Sequence, residues 1–207
     1  AMMKAVLGAG EVQADIVVDS ISINDLAVPA IWLRSRWDFV QNRAGILVQQ
    51  RENLDTLVRG FYAPSQKRYY ARATLDSVEL SALDPLLKGV IEKTGGNADV
   101  DIALRGSGKE ATLSGQIAVR DFTTTVDFTQ VTYTMPRAVI EVRNNHLTAE
   151  GVPLYDPEKN EGLFSIDLNL EHLSNISYSV KVLPKELMVL NLSLIHISEP
   201  TRLLSIS

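Results

Sequence analysis

The chain has 207 residues, of which 45% are hydrophobic, 22% charged and 6% aromatic, the balance of a folded chain and not of a disordered one. Lys plus Arg number 20 against 25 Asp plus Glu, a net charge of -5, and no basic stripe of the kind a general nucleic-acid binder carries runs along the sequence. The lack of cysteine excludes disulfide frameworks, thiolate zinc sites and cysteine nucleophiles.

No basic-then-apolar leader opens the chain, and it begins at Ala1. The expectation is a fragment whose anchor or export signal lies upstream. The longest apolar run, Ala27 to Leu33, is far short of the ~18–20 residues a membrane span needs.

From there the dominant pattern is alternation with period two, which marks strands with one apolar face. Val12, Ala14, Ile16 and Val18 alternate, and Ile21 and Ile23 continue out of phase. Trp32 to Arg51 mixes bulky apolar and basic residues and reads as strands. Tyr69 to Leu80 is strand-like, with Ala71, Ala73 and Leu75 on one face. Asp84 as N-cap, Pro85 at the first helical position and Gly95-Gly96 as a stop predict a short helix over about Pro85 to Lys93. Leu83, Leu86, Leu87 and Val90 would face the sheet.

Alternation then resumes. Val100, Ile102 and Leu104 share one face, with Asp99, Asp101 and Arg105 on the other. Gly106-Ser107-Gly108-Lys109 turns the chain into a strand carrying Leu113, Ile117 and Val119, and the two form a hairpin. Val126 and Phe128 precede Val131, Tyr133 and Met135, a change of phase that predicts a bulge near Gln130. Pro136 breaks the run, and Ala138, Ile140 and Val142 restart it. After an Asn144-Asn145 turn come a strand over Leu147 to Leu154 and a loop from Asp156 to Gly162. Two clear alternations follow, Phe164, Ile166, Leu168 and Leu170, then Ile176 to Val182. Such strands with evenly spaced turns predict a mainly β fold: sandwich, barrel or solenoid.

Few constellations suggest chemistry. Gly106-Ser107-Gly108-Lys109 lacks the Ser or Thr and the helix of a phosphate loop. Asp99 and Asp101 could do acid–base work or hold a hard cation, but lie on a polar face beside Arg105. His146 and His172 have no ligand spacing to another histidine. Trp32, Arg34, Arg36, Trp37 and Arg43 interleave aromatic and basic residues, as binders of single strands or lipid headgroups do. The acidity of the whole chain argues against nucleic acid as a partner. What remains is the apolar face itself, which one short helix is too small to cover.

An ordered series over residues 75–182 resembles a known family. Leu75-Asp76-Ser77-Val78-Glu79-Leu80 precedes Leu83-Asp84-Pro85-Leu86-Leu87. Gly95-Gly96-Asn97-Ala98 leads into Asp99 to Gly106, then Ala111 to Arg120, and Asp127 to Met135. Leu154-Tyr155-Asp156, Gly162-Leu163-Phe164 and His172 to Tyr178 complete it. This is similar to the translocation and assembly module subunit family, TamB-like proteins within the wider AsmA-like group, in its Bacteroides-type versions. One departure is Lys159-Asn160, where the family pattern has Gly-Asn.

The resemblance implies a curved, elongated antiparallel sheet, an open trough or β-taco with an apolar lining. It implies residence in the periplasm, with an inner-membrane anchor absent from this chain, and a part in phospholipid movement and outer-membrane protein assembly. It implies no catalytic residues, cofactor or metal, so the protein is expected not to be an enzyme. The expected lining is Val100, Ile102, Leu104, Leu113, Ile117, Val119, Val126, Phe128, Ile140, Val142, Phe164, Ile166, Leu168 and Leu170, with phospholipid acyl chains as partners. The alternative is a scaffold that binds an outer-membrane barrel protein, or serves autotransporter secretion, by strand addition. An enzyme on a β-helix would need acids and bases on one exposed face, and only Asp99, Asp101 and Arg105 offer any.

Three segments are expected: a β-rich stretch at 1–74, the trough at 75–191 and a tail at 192–207. Leu192 to Arg202 closely resembles the conceptual translation of a transposase-type DNA-sequencing adapter. On that reading the tail, with His196, is not native sequence.

Overall fold

Among the described residues the alternating pattern builds fourteen strands: β1 (Met2–Gly8), β2 (Glu11–Val18), β3 (Ile21–Ile23), β4 (Leu26–Val28), β5 (Ile31–Asp38), β6 (Arg43–Gln50), β7 (Thr56–Ala63), β8 (Arg68–Glu79), β9 (Ile91–Ser107), β10 (Glu110–Val126), β11 (Val131–Arg143), β12 (His146–Tyr155), β13 (Glu161–Glu171) and β14 (Asn175–Pro184). The computed structural model describes residues 2–8, 10–19, 21–23, 26–28, 30–85, 87–171 and 175–188. His172 and the tail from 192 onward lie outside the described residues. Twelve strands pair in chain order into one antiparallel sheet, and β3 with β4 form a separate hairpin between β2 and β5. The sheet is curved and open, not closed into a barrel. β8 runs across residues 74 and 75 and pairs with both β7 and β9, so both expected segments contribute to one sheet.

Cross-strand partners share a face of a sheet, and the register carries one apolar row across all twelve strands. It runs Met3, Ile16, Leu33, Val48, Val58 and Ala73 over the first half. Ile102, Gly115, Val142, Leu147, Leu168 and Tyr178 continue it to the far edge. The opposite face is polar and laced with ion pairs, such as Arg34 to Asp15 at 3.0 Å and Arg72 to Asp101 at 2.7 Å.

A line of irregularities crosses five neighbouring strands. The register slips between Leu75 and Val78 on β8, between Arg120 and Thr123 on β10, and between Ala149 and Val152 on β12. Ser77, Gly96, Asp121 and Gly151 along this line all have positive φ. At each step one extra residue shifts the inward side chains from one parity to the other. On β10 the inward set changes from Ile117 and Val119 to Phe122 and Thr124. On β11 it changes from Tyr133 and Met135 to Ala138 and Ile140. The two strands change phase at the same level, so Val119 still faces Ala138 and Phe122 still faces Met135. Gly96, with φ 96°, is required in this crease. A Cβ there would lie 2.5 Å from the Asp121 carbonyl oxygen.

Three sequence expectations are corrected. The helix over Pro85 to Lys93 does not form. A short 3-10 helix covers Leu80–Leu83 instead, turns follow, and β9 begins at Ile91. Asp84 closes that 3-10 helix, and its carboxylate accepts the Thr94 N–H at 3.1 Å in place of capping a helix. Gly89 sits at φ 85° in the middle of the expected helix and interrupts it. Val90 is 61% exposed, and Leu86 lies outside the described residues. Secondly, the expected bulge near Gln130 is the hairpin turn 127–130, closed by the Gln130 N–H on the Val126 carbonyl. The even-to-odd change comes from this turn, which sets Val126 opposite Val131, and the bulges lie elsewhere, at Asp121 and Pro136. Thirdly, Pro136 does not break β11. Neither neighbouring ladder pairs it, so its missing N–H leaves no bond unmade.

Candidate functional site

Curvature and crease concentrate burial on the inward face of β9 to β14. Ala98, Val119, Met135, Ala138, Ala149, Val152 and Leu154 are buried there together with Leu80 and Leu187. Over them lies an open groove of about 730 Å³. Its floor is two rows of register partners. Ile117 and Ile140, level with Ala149, Ile166 and Val180, form the first, and Val119 with Ala138 lies beside it. Beyond the crease the second comprises Phe122 with Met135 and, on the next strands, Val152 with Phe164 and Val182. Leu83, Leu87 and Ile91 wall one side, and Pro184 and Leu187 the other.

Among the described residues no charged side chain lines the groove, and its polar atoms are mostly committed. Thr124 Oγ1 pairs with Thr94 Oγ1 at 3.0 Å, and the Tyr133 hydroxyl donates to the Met188 carbonyl at 2.7 Å. Burial pushes the Tyr133 phenol up from its ordinary pKa. The lining is thus apolar over nearly all of its surface, which suits apolar matter.

The Leu187 wall is fixed by a buried carboxylate. Asp156, 3% exposed, accepts hydrogen bonds from the backbone N–H of Glu158, Asn160 and Met188 and from the Asn160 side chain, at 2.8–2.9 Å. Burial alone would raise its pKa, but these donors outweigh burial and hold it below its ordinary value. The same bonds close the loop before β13, where Lys159 takes φ 66°, a left-handed conformation glycine adopts without strain. Leu187 then packs against Gly162, where a Cβ would meet its Cδ1 at 2.8 Å.

Of the lining residues expected from the sequence, Val119, Val126, Ile140, Phe164 and Ile166 line the groove. Ile117 packs against the core beside it, and Val142 is 1% exposed and enclosed. Val100, Ile102, Leu104 and Leu113 lie on the same face but outside the groove, as do Leu168 and Leu170. Phe128 does not join it: it sits in the 127–130 turn and is 87% exposed. Sequence reasoning missed Phe122, Met135, Ala149, Val152, Leu154 and Leu187 as lining. The first four flank phase changes that strict alternation does not anticipate, and Leu187 follows the last strand.

The carboxylates of the polar face are tied up. Asp99 pairs with Arg120 at 2.7 Å and accepts the Ser77 N–H, and both interactions lower its pKa. Arg72 holds Asp101 low in the same way. Among the described residues no group of His, Asp and Glu could hold a metal ion, and no helix is long and apolar enough to cross a membrane. Comparison with protein-family models, curated proteins and solved structures finds no match.

Proposed function

We propose that the chain is part of a TamB-like protein of the AsmA-like group, whose groove holds phospholipid acyl chains and conducts them between the inner and outer membranes. The observation that carries this reading is an uncharged apolar groove continuous with an apolar row that crosses every strand of an open sheet. Exposed apolar surface of that extent marks a binding site. A buried methylene is worth about 0.8 kcal/mol, so a chain of some sixteen carbons gains roughly 12 kcal/mol in a dry groove. It gives up a similar amount on leaving a bilayer, so sliding along equivalent apolar positions is nearly isoenergetic. The headgroup stays at the open side, and no catalytic residue or cofactor is needed. On this proposal the protein works in the periplasm, held to the inner membrane by a segment outside this chain.

One observation favours a second reading, a scaffold for outer-membrane protein assembly by strand addition. β14 is an edge strand with Tyr178, Val180 and Leu183 exposed, and a free edge can pair with an incoming strand. The test loads the chain from vesicles containing a fluorescent acyl-chain phospholipid and compares Ile140→Asp and Ile166→Asp with the parent. The charged variants should keep their β circular dichroism and lose bound lipid. In the full-length protein, normal phospholipid delivery to the outer membrane by folded Ile117→Asp would overturn the conduit reading and favour the scaffold.

A further inference from the structure

The face opposite the groove carries an arrangement the lipid reading does not use. Arg34 and Arg36 on β5, Arg43 on β6, Arg59 on β7, Arg68 and Arg72 on β8, and Arg105 on β9 share this face by register, against Asp38, Asp99 and Asp101. The chain as a whole is acidic, so this concentration of one sign is local. Arg34, Arg36 and Arg72 are ion-paired with Asp15, Glu11 and Asp101. Arg43, Arg59, Arg68 and Arg105 are exposed and make no ion pair among the described residues.

Two of these four are held in place by rings. The Arg43 guanidinium carbon lies 3.8 Å from the Phe61 ring centre, and that of Arg105 lies 5.7 Å from the Tyr70 ring centre. Phe61 and Tyr70 are register partners with centroids 6.1 Å apart. Arg43, Phe61, Tyr70 and Arg105 thus form a cation–ring–ring–cation line across β6 to β9. A guanidinium over a ring keeps its N–H edges free and loses less freedom when it binds a carboxylate.

We infer that this face docks an acidic, extended peptide segment of a partner protein. Planar guanidinium forks match carboxylates in pairs. The line spans three inter-strand spacings of about 4.8 Å, the reach of roughly four extended residues. Stacked nucleic-acid bases fit less well, because Arg43 already covers the Phe61 ring. A bilayer fits less well too. Among the described residues of strands β5 to β9 the large exposed apolar side chains, Ile46 and Tyr62, belong to the other face, and the Phe61 and Tyr70 rings of this one lie under or beside guanidinium groups.

The test uses a fluorescein-labelled octaglutamate peptide with the full chain at low salt, followed by fluorescence anisotropy. The peptide should bind more tightly than oligodeoxythymidine of equal charge and than phosphatidylglycerol vesicles. Arg59→Glu with Arg105→Glu should weaken it by at least about ten-fold. Arg137→Glu, a reversal of the same kind at one exposed arginine on β11, should leave it unchanged, whereas Arg105→Glu alone, equal to it in charge, should weaken it. Circular dichroism identifies variants that remain folded, and the singly changed Arg105→Gln replaces the double variant if that one unfolds. No binding, equal weakening by Arg137→Glu, or tighter binding to the oligonucleotide or the vesicles would overturn the inference.

Discussion

The Asp156 carboxylate accepts the Met188 backbone N–H at 2.8 Å across thirty-two residues of sequence, and this bond fixes one wall of the groove. The chain beyond β14 turns back there, Tyr133 holds the Met188 carbonyl, and Leu187 is pressed into the core. A single carboxylate therefore couples the loop before β13 to the segment after β14.

Replacing Asp156 with Ala should release Met188 and expose Leu187. Four donors lose their acceptor at once, and those that stay buried are costly to leave unpaired. Chemical denaturation should show a clear loss of stability, larger for Asp156→Ala than for Asp156→Asn, which keeps one acceptor oxygen. Limited proteolysis should then cut between residues 184 and 188 faster than in the parent. Equal protection in Asp156→Ala would show that packing of Leu187 alone holds the wall.

Acid should act through the same group and through the ion pairs of the polar face. Asp15, Asp99, Asp101 and Asp156 all have folded pKa values below the ordinary 3.8. A depressed carboxylate stabilises the folded state above its unfolded pKa, and that contribution disappears as pH falls through the folded value. Urea midpoints should therefore be nearly constant from pH 7 to about pH 5 and fall progressively below about pH 4. In Asp156→Asn the fall should be shallower, because one of the titrating groups is gone. An unchanged slope would place the acid sensitivity elsewhere.

The crease makes a contrast between two glycines. Gly96 and Gly108 both have positive φ, at 96° and 64°. Beside Gly108 nothing lies within 4 Å of an added Cβ, whereas at Gly96 that atom would strike the Asp121 and Arg120 carbonyls. Gly108→Ala should cost about 1–2 kcal/mol, the left-handed penalty of an L-residue. Gly96→Ala should cost distinctly more, because β9 and β10 must also separate at the bulge. Thermal melts of the two variants check this, and similar shifts would mean that the crease adapts.

Alternation along the chain by itself determines much of this molecule. Ala98 to Arg105 and Ala111 to Arg120 read as a hairpin and form one, because a period of two commits each strand to one inward set. The strand over Tyr69 to Glu79 is legible for the same reason, as are the polar positions of Asp99 and Asp101, whereas Trp32 to Arg51 reads as strands only from its mixture of bulky apolar and basic residues. Residues in conflict with the period, such as Asp121, Gly96 and Pro136, gave no direction in sequence. Each adds one residue to a strand, and only a neighbouring strand with a matching bulge decides whether that shift flips a face or ends an element. The expected helix failed similarly: capping residues and leucine spacing are local, while Gly89 at positive φ and pairing of Ile91 with Val126 pull the segment into turns and strand. The groove's end wall and the arginine line depend on register and return of the chain. They bring together Asp156 with Met188 and Arg43 with Arg105, groups too far apart in sequence for any periodicity to connect.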